Sequence, residues 1–131
     1  MTAARIGLRV YYEDTDLAGI VYHANYLRYF ERGRTEALRA AGIDQGRLKA
    51  EAGLVFVVVS MEAAWRRPAR FDDWLEVETE TVSVGGAAID MAQRVLRGAE
   101  LCAEATVRCA TMTLEGRPAR MPEAVRAALT G

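Results

Sequence analysis

Arg5 to Tyr12 alternates in polarity. Ile6, Leu8, Val10 and Tyr12 fall on one face and Arg5, Arg9 and Tyr11 on the other, which predicts a half-buried strand. Glu13-Asp14-Thr15-Asp16 ends the alternation with turn-forming polar residues, and Gly19 permits a backbone shape that other residues resist. From Asn25 to about Ala41 the period changes. Leu27, Phe30, Arg34, Leu38 and Ala41 recur at spacings of three and four, which predicts a helix. Gly33 sits inside it at a cost of about 1 kcal/mol against Ala. It is either simply tolerated or marks the close approach of a sheet to the helix backbone. Gly42 stops the helix from the C′ position.

A long strand follows from Leu54 to Arg66. It opens as a continuous apolar run, Leu54 to Val59, then sets Ser60, Glu62 and Arg66 against Met61, Ala63 and Trp65 before Pro68 closes it. Trp74 to Val84 alternates Glu76, Glu78 and Glu80 against Leu75, Val77 and Thr79, and Gly85-Gly86 signals a hairpin. Two more strands, Ala87 to Leu96 and Leu101 to Leu114, flank an Arg97-Gly98-Ala99-Glu100 turn. Pro118 and Pro122 mark an irregular tail, and Glu123 to Leu129 can form a short last helix.

One strand, a long helix and then four strands joined by tight turns predict an α+β fold with an antiparallel sheet wrapped around the helix. The Leu54–Val59 run carries more apolar surface than one helix can cover, so a homo-oligomer is expected.

The 131 residues predict one domain over 1–131, since domains usually run about 100–200 residues. With 51% hydrophobic residues and a net charge of −1, overall disorder is excluded. Seventeen Lys+Arg against eighteen Asp+Glu leave no global positive field to hold nucleic acid or an anionic membrane. No apolar run reaches the ~20 residues of a membrane span. The first residues, through Leu8, carry no apolar core of a secretory signal. Cys102 and Cys109 lie in one predicted strand, seven apart and so on opposite faces, which argues against a disulfide. Two Cys and one His cannot by themselves build a tetrahedral zinc site, so no metal is expected. A reducing, cytoplasmic setting fits.

The densest group of unusual residues runs from Tyr11 to Tyr26, between a strand end and a helix start. It holds Glu13, Asp14 and Asp16, four of the five tyrosines and the one histidine, His23. A helix N-terminus offers unpaired N–H groups and partial positive charge, able to stabilise a carbonyl oxygen that gains negative charge. A nearby carboxylate can attack a reactive carbonyl or take a proton from attacking water. Those two parts suffice to hydrolyse an activated acyl compound, and a thioester is suitable because its leaving group needs little help.

Three segments, Tyr12-Glu13-Asp14-Thr15-Asp16, Gly19-Ile20-Val21-Tyr22-His23-Ala24-Asn25-Tyr26 and Phe30-Glu31-Arg32-Gly33-Arg34-Thr35-Glu36, resemble the hotdog-fold acyl-CoA thioesterases. The branch is the one associated with the Tol-Pal system and related to 4-hydroxybenzoyl-CoA thioesterase. Weaker likeness extends through Phe56-Val57-Val58 and Arg67-Pro68-Ala69-Arg70-Phe71-Asp72-Asp73. His23-Ala24-Asn25 stands where the aryl-CoA branch resembles Tyr-Pro-Asn, which favours the acyl-CoA branch.

The resemblance implies a hotdog fold: a long central helix wrapped by a curved, five-stranded antiparallel sheet. Two subunits would join their sheets edge to edge, dimers would pair into tetramers, and active sites would lie at the dimer interface. Asp16 aligns with the catalytic carboxylate, as nucleophile or as base for water. His23 would offer its backbone N–H to the thioester oxygen and its ring to water or substrate. Asn25 reads as the helix cap and is a further candidate for substrate binding. Tyr22 and Tyr26 are pocket walls or core, and Glu31 reads as ion-paired rather than catalytic. Val57, Val58 and Val59 are core by default, and the resemblance places some of them on the acyl pocket. Arg66, Arg67 and Arg70 are the best local cluster for CoA phosphates.

The leading expectation is therefore an acyl-CoA thioesterase that needs no cofactor. Action on thioesters of acyl carrier protein and a non-catalytic, partner-binding scaffold are the alternatives. A hotdog dehydratase is disfavoured, because no His-Phe-Pro approach to the helix is present.

Overall fold

The long helix α1, Asn25–Ala40, lies against a five-stranded antiparallel sheet in this computed structural model, which describes residues 2–131. The strands are β1 (Ala3–Arg9), β2 (Leu54–Trp65), β3 (Trp74–Val84), β4 (Ala88–Arg97) and β5 (Glu100–Thr113). Their order across the sheet is β1-β3-β4-β5-β2, so β1 and β2 are the two edges. A short helix α2 (Gln45–Arg47) runs into a π-helical turn (Leu48–Ala52) before β2, and α3 (Glu123–Thr130) closes the chain. Among the described residues no helix is long and apolar enough to cross a membrane.

Period-2 patterning places Leu75, Val77 and Thr79 of β3, Ile89, Met91, Gln93 and Val95 of β4, and Ala103, Ala105, Val107 and Cys109 of β5 in the core. The opposite face carries the glutamates, held by cross-strand arginines: Arg5 pairs with Glu76 and Glu78, Arg94 with Glu78, and Arg108 with Asp90 at 2.8 Å.

Gly33 reflects close approach. A Cβ there would meet Thr79 Oγ1 at 2.7 Å, Val77 Cγ1 at 2.8 Å and Gln93 Nε2 at 3.0 Å. Beside it lies a buried polar cluster. Gln93 donates to the Phe30 carbonyl and to Thr79 Oγ1, both at 2.8 Å, and accepts from Arg34 at 3.0 Å.

Three expectations are corrected. The buried stripe of α1 is Tyr26, Tyr29, Phe30, Gly33, Arg34, Ala37 and Leu38, whereas Leu27 is exposed. Two tyrosine rings fill the core where a leucine had marked the stripe. Tyr12 does not share the face of Val10: the strand ends at Arg9, and Tyr12 begins a 3-10 turn (Tyr12–Asp14) and is exposed.

Cys102 and Cys109 do not face opposite ways. Val95 pairs with Ala103 and Leu96 with Leu101, so Cys102 is the extra residue of a bulge. Both thiols are buried in the core and held protonated by that burial. Seven residues of strand put them roughly 20 Å apart, too far for a disulfide.

On the edge strand β2, Val58 pairs with Cys109 and Ser60 with Arg108, leaving Val59 unpaired. Val58 and Val59 are 47% and 48% exposed, the apolar surplus that the sequence pattern anticipates.

Candidate active site

The 3-10 turn after β1 is tied into the following loop by main-chain bonds. Asp16 N–H donates to the Ile20 carbonyl and Gly19 N–H to the Asp16 carbonyl, both at 2.9 Å. Gly19 has φ +78°, the left-handed conformation this reversal needs. Asp16 Oδ1 accepts from Ala18 N–H at 2.9 Å, which orients the carboxylate within the turn. Its Oδ2 has no protein donor among the described residues. Asp16 is exposed on the wall of a cleft.

The chain then enters α1. Tyr22 N–H donates to the Asp14 carbonyl at 2.9 Å, and the Asn25 side-chain amide donates to the same oxygen at 2.8 Å. The Asp14 carbonyl thus joins the Asp16 loop to the start of the helix. Asn25 is not the helix cap. Ala24 holds that position without a side-chain bond, and Asn25 is the first helical residue. The N–H groups of Asn25 and Tyr26 are taken by the carbonyls of Tyr22 (2.8 Å) and His23 (3.3 Å). The N–H groups of His23 and Ala24 have no acceptor among the described residues. They are the unpaired donors expected at a helix N-terminus.

The cleft measures about 350 Å³ and is lined by Asp16, His23, Tyr26, Trp65, Arg66 and Arg67, among others. Tyr26 is buried, and its hydroxyl accepts from Ala69 N–H at 3.3 Å. Burial pushes its pKa up against the opposing effect of that bond, so the phenol stays protonated. Arg66 and Arg67 are paired on the surface with Glu104 (3.1 Å) and Glu100 (2.9 Å). The Pro68–Asp73 segment beyond them is held by Arg97, which donates to the Pro68 carbonyl at 3.0 Å and to Asp73 at 2.8 Å.

The fold therefore brings Asp16, His23, Tyr26, Arg66 and Arg67 together and leaves the other candidates elsewhere. Asn25 is buried, with its amide committed to Asp14. Tyr22 lies outside the cleft, its ring tilted against that of His23 at 4.6 Å. Arg70 is also outside, where its main-chain N–H donates to Asp73. Val57 and Val58 line a second cleft of about 50 Å³ with Glu31, Arg34, Phe56 and Cys109, and Val59 lines neither. Glu31 is ion-paired with Arg34 at 3.3 Å and accepts from the Thr35 hydroxyl.

Sequence reasoning missed Trp65. Its indole Nε1–H donates to the His23 carbonyl at 3.2 Å, and its ring stands edge-on to the His23 ring at 5.9 Å. The alternation of β2 sets it with Met61 and Ala63 against Ser60, Glu62 and Arg66, which was the available signal. Among the described residues, no group of three or more His, Cys, Asp or Glu side chains is placed to hold a metal ion.

A long helix cradled in a curved, five-stranded antiparallel sheet is the hotdog architecture. Residues 10–129 match the thioesterase-like superfamily, and the chain belongs to that family. It is 45% identical over 122 residues to the acyl-CoA thioesterase YbgC of Haemophilus influenzae, covering 92% of this chain and 90% of that protein. It is 40% identical over 127 residues to the acyl-CoA thioester hydrolase YbgC of Escherichia coli, covering 95% and 93%. Among solved structures, a probable thioesterase from Bartonella henselae superposes with a TM-score of 0.88 at 41% identity, over 92% of this chain and 99% of that one. A 4-hydroxybenzoyl-CoA thioesterase complexed with 4-hydroxybenzoyl-CoA shares the fold at a TM-score of 0.92 and 21% identity, over 98% and 99%.

Proposed function

We propose that this chain, as a single domain, hydrolyses acyl-CoA thioesters to a free carboxylic acid and CoA, with Asp16 as the reacting carboxylate. The observation that carries the reading is the meeting, at one cleft, of Asp16, whose Oδ2 is free, and His23, whose main-chain N–H is unpaired at the helix start. The two relatives, named for acyl-CoA thioester hydrolysis, support the substrate class.

The thioester oxygen would accept from the helix-terminal N–H groups as it gains negative charge, and there the aligned peptide dipoles favour an anion. The Asp16 oxygen would attack the acyl carbon, expelling the CoA thiolate and leaving an acyl-aspartyl anhydride for water to open. Alternatively it would take the proton of a water that attacks directly. Both routes need the same two parts. Tyr26 is the apolar floor of this cleft rather than a base. Arg66 and Arg67, which line this cleft, and Arg70 beyond it would meet the CoA phosphates.

The exposed Val58 and Val59 on an unpaired edge strand support a homodimer formed through β2. In such a dimer the cleft beside Val57 and Val58 would lie at the joint, available for the acyl group. Pairing of dimers into a tetramer and a cytoplasmic location belong to the same reading.

Free-thiol release from a panel of acyl-CoAs tests it. Asp16→Ala and Asp16→Asn should each lower kcat by at least ~100-fold. Equal release by all three proteins would refute it. Comparing kcat/KM on matched acyl-CoA and acyl carrier protein substrates then identifies the carrier.

A further inference from the structure

We infer that Glu100 and Glu104 are positioning residues for the cleft arginines: they hold Arg67 and Arg66 in carboxylate pairs that cancel the positive charge offered to the phosphates of CoA, and so keep the carrier loosely bound. The inference rests on the acyl-CoA reading given above.

Arg66 and Arg67 are neighbours in sequence, and within a strand they would point to opposite faces. Both line the Asp16 cleft. Alternation no longer applies to them, because strand pairing stops at Trp65. The N–H groups of Arg66 and Arg67 then turn to a single acceptor, the Cys102 carbonyl, at 2.8 and 3.2 Å. Cys102 is the extra residue of the β5 bulge. The chain end fastened there presents two cations to one cleft.

The two glutamates flank that carbonyl on β5, one on each side of Cys102. Glu104 Oε2 accepts from Arg66 Nε at 3.1 Å, and Glu100 Oε2 accepts from Arg67 Nη1 at 2.9 Å. Neither glutamate lines the cleft, so both hold the arginines from outside it. Glu104 and Arg66 line a neighbouring groove together with Arg94, which places Arg66 between the two depressions. Glu100 is also paired with Arg97 at 3.3 Å, and Arg97 in turn holds Asp73 at 2.8 Å. The Arg67 and Arg97 guanidiniums keep the Glu100 carboxyl below its ordinary pKa, so it is an anion at neutral pH. Arg66, Arg67 and Arg97 thus meet Glu100, Glu104 and Asp73, and the local charge sums to zero.

The side chains of the two cleft pairs are all partly exposed, and ion pairs of that kind are weak. A phosphate can therefore exchange for either carboxylate, taking the arginine by its remaining donors. Each glutamate still repels the phosphate that approaches its arginine. That opposition acts on the diphosphate and the 3′-phosphate of CoA, and not on the pantetheine or the acyl group. It falls on substrate and on the CoA product alike, so it eases product release without touching the reacting carbonyl.

The test uses Glu104→Gln and Glu100→Gln, which keep the side-chain shape and remove the charge. Thermal melting confirms that each variant is folded. Calorimetry measures the Kd of desulfo-CoA, which keeps the phosphates and lacks the thiol. Thiol release is followed on the CoA thioester and the pantetheine thioester of one acyl group. That group is whichever of butyryl, benzoyl and palmitoyl the wild type turns over fastest. Glu104→Gln should lower both the Kd of desulfo-CoA and the KM for acyl-CoA by roughly 3-fold or more, with kcat within about 2-fold. Glu100→Gln should act in the same direction. The gain should shrink in high salt and be absent with the pantetheine thioester. In an Arg66→Gln background Glu104→Gln should no longer tighten binding, because the partner it restrains is gone. An unchanged or weaker Kd in both glutamate variants, or an equal gain on the pantetheine thioester, overturns the inference. Asp16→Asn keeps the two readings apart. If it is inactive while the glutamate variants bind desulfo-CoA no more tightly, only the role of Glu100 and Glu104 falls. If it retains wild-type release, or the wild type releases no thiol, the hydrolytic reading falls, and the Kd of desulfo-CoA alone decides the role of the glutamates.

Discussion

The side-chain amide of Asn25 reaches back 11 residues to donate to the main-chain carbonyl of Asp14 at 2.8 Å. That bond holds the loop carrying Asp16 against the helix terminus carrying the free amides. Asn25→Ala removes it and leaves the half-buried Asp14 carbonyl with Tyr22 N–H alone, at a cost of about 1–2 kcal/mol. Asn25→Asp should cost more, because it sets an anionic acceptor against a carbonyl. Both variants should also lose kcat through misalignment of Asp16. Urea denaturation and thiol release measure the two effects.

Gly33→Ala should destabilise despite the better helix propensity of alanine. The added methyl meets Val77, Thr79 and Gln93, all buried on two neighbouring strands. Overpacking of this kind costs about 1–3 kcal/mol, against a propensity gain of at most about 1 kcal/mol. A raised melting temperature would contradict the close approach.

Gln93 is the hub of the buried cluster under α1. Gln93→Leu leaves the Arg34 guanidinium, the Thr79 hydroxyl and the Phe30 carbonyl short of a partner and should cost about 2–3 kcal/mol. The double variant Arg34→Met with Gln93→Leu should recover part of that loss, because no buried charge is then left with a missing partner. Denaturation of the two single variants and the double variant yields the coupling.

The wall of the cleft should loosen in acid. Burial pushes the Asp73 carboxyl up. The Arg70 N–H and the Arg97 guanidinium pull it down further, so the net position is below the ordinary carboxylate value. A carboxylate whose pKa is lowered by folding contributes its stability in full above the unfolded value. That contribution is lost as pH falls through the folded one. Asp90, beside Arg108, acts in the same direction. Asp73→Asn should therefore melt below the wild type at about pH 6, and the gap should close towards about pH 2. A gap that stays constant would mean that Asp73 contributes packing rather than charge.

Periodicity made the elements legible, because burial on one side imposes a period of two on strands and 3.6 on helices. β3 spans Trp74 to Val84 as its pattern predicts, alternating until the register shifts between Thr81 and Ser83, and Gly42 ends the helix with φ +84°. Partition was less legible where several large side chains competed for the same space. The stripe of α1 begins at Tyr26 rather than Leu27, because a tyrosine ring fills more of the core and its hydroxyl finds Ala69 N–H. The bulge at Cys102 left no trace in a pattern that counts residues evenly.

The site divides in the same way. The run from Tyr12 to Tyr26 placed three acidic residues and a helix start within one segment, and the resemblance to the thioesterases singled out Asp16 and His23 within it. Their partners come from distant chain. Trp65 at the end of β2 and Ala69 in the following segment reach the site only once the sheet has curled around the helix. The same curl carried Val57 and Val58 to a different cleft, while the turn before the helix spent the Asn25 amide on Asp14. Local pattern settled which residues form the helix, the strands and the reactive loop, since each depends on neighbours a few positions away. Which side chains meet across the cleft depends on strand register, a bulge and the closeness of a glycine to the sheet, and these exist only after long-range contacts have formed.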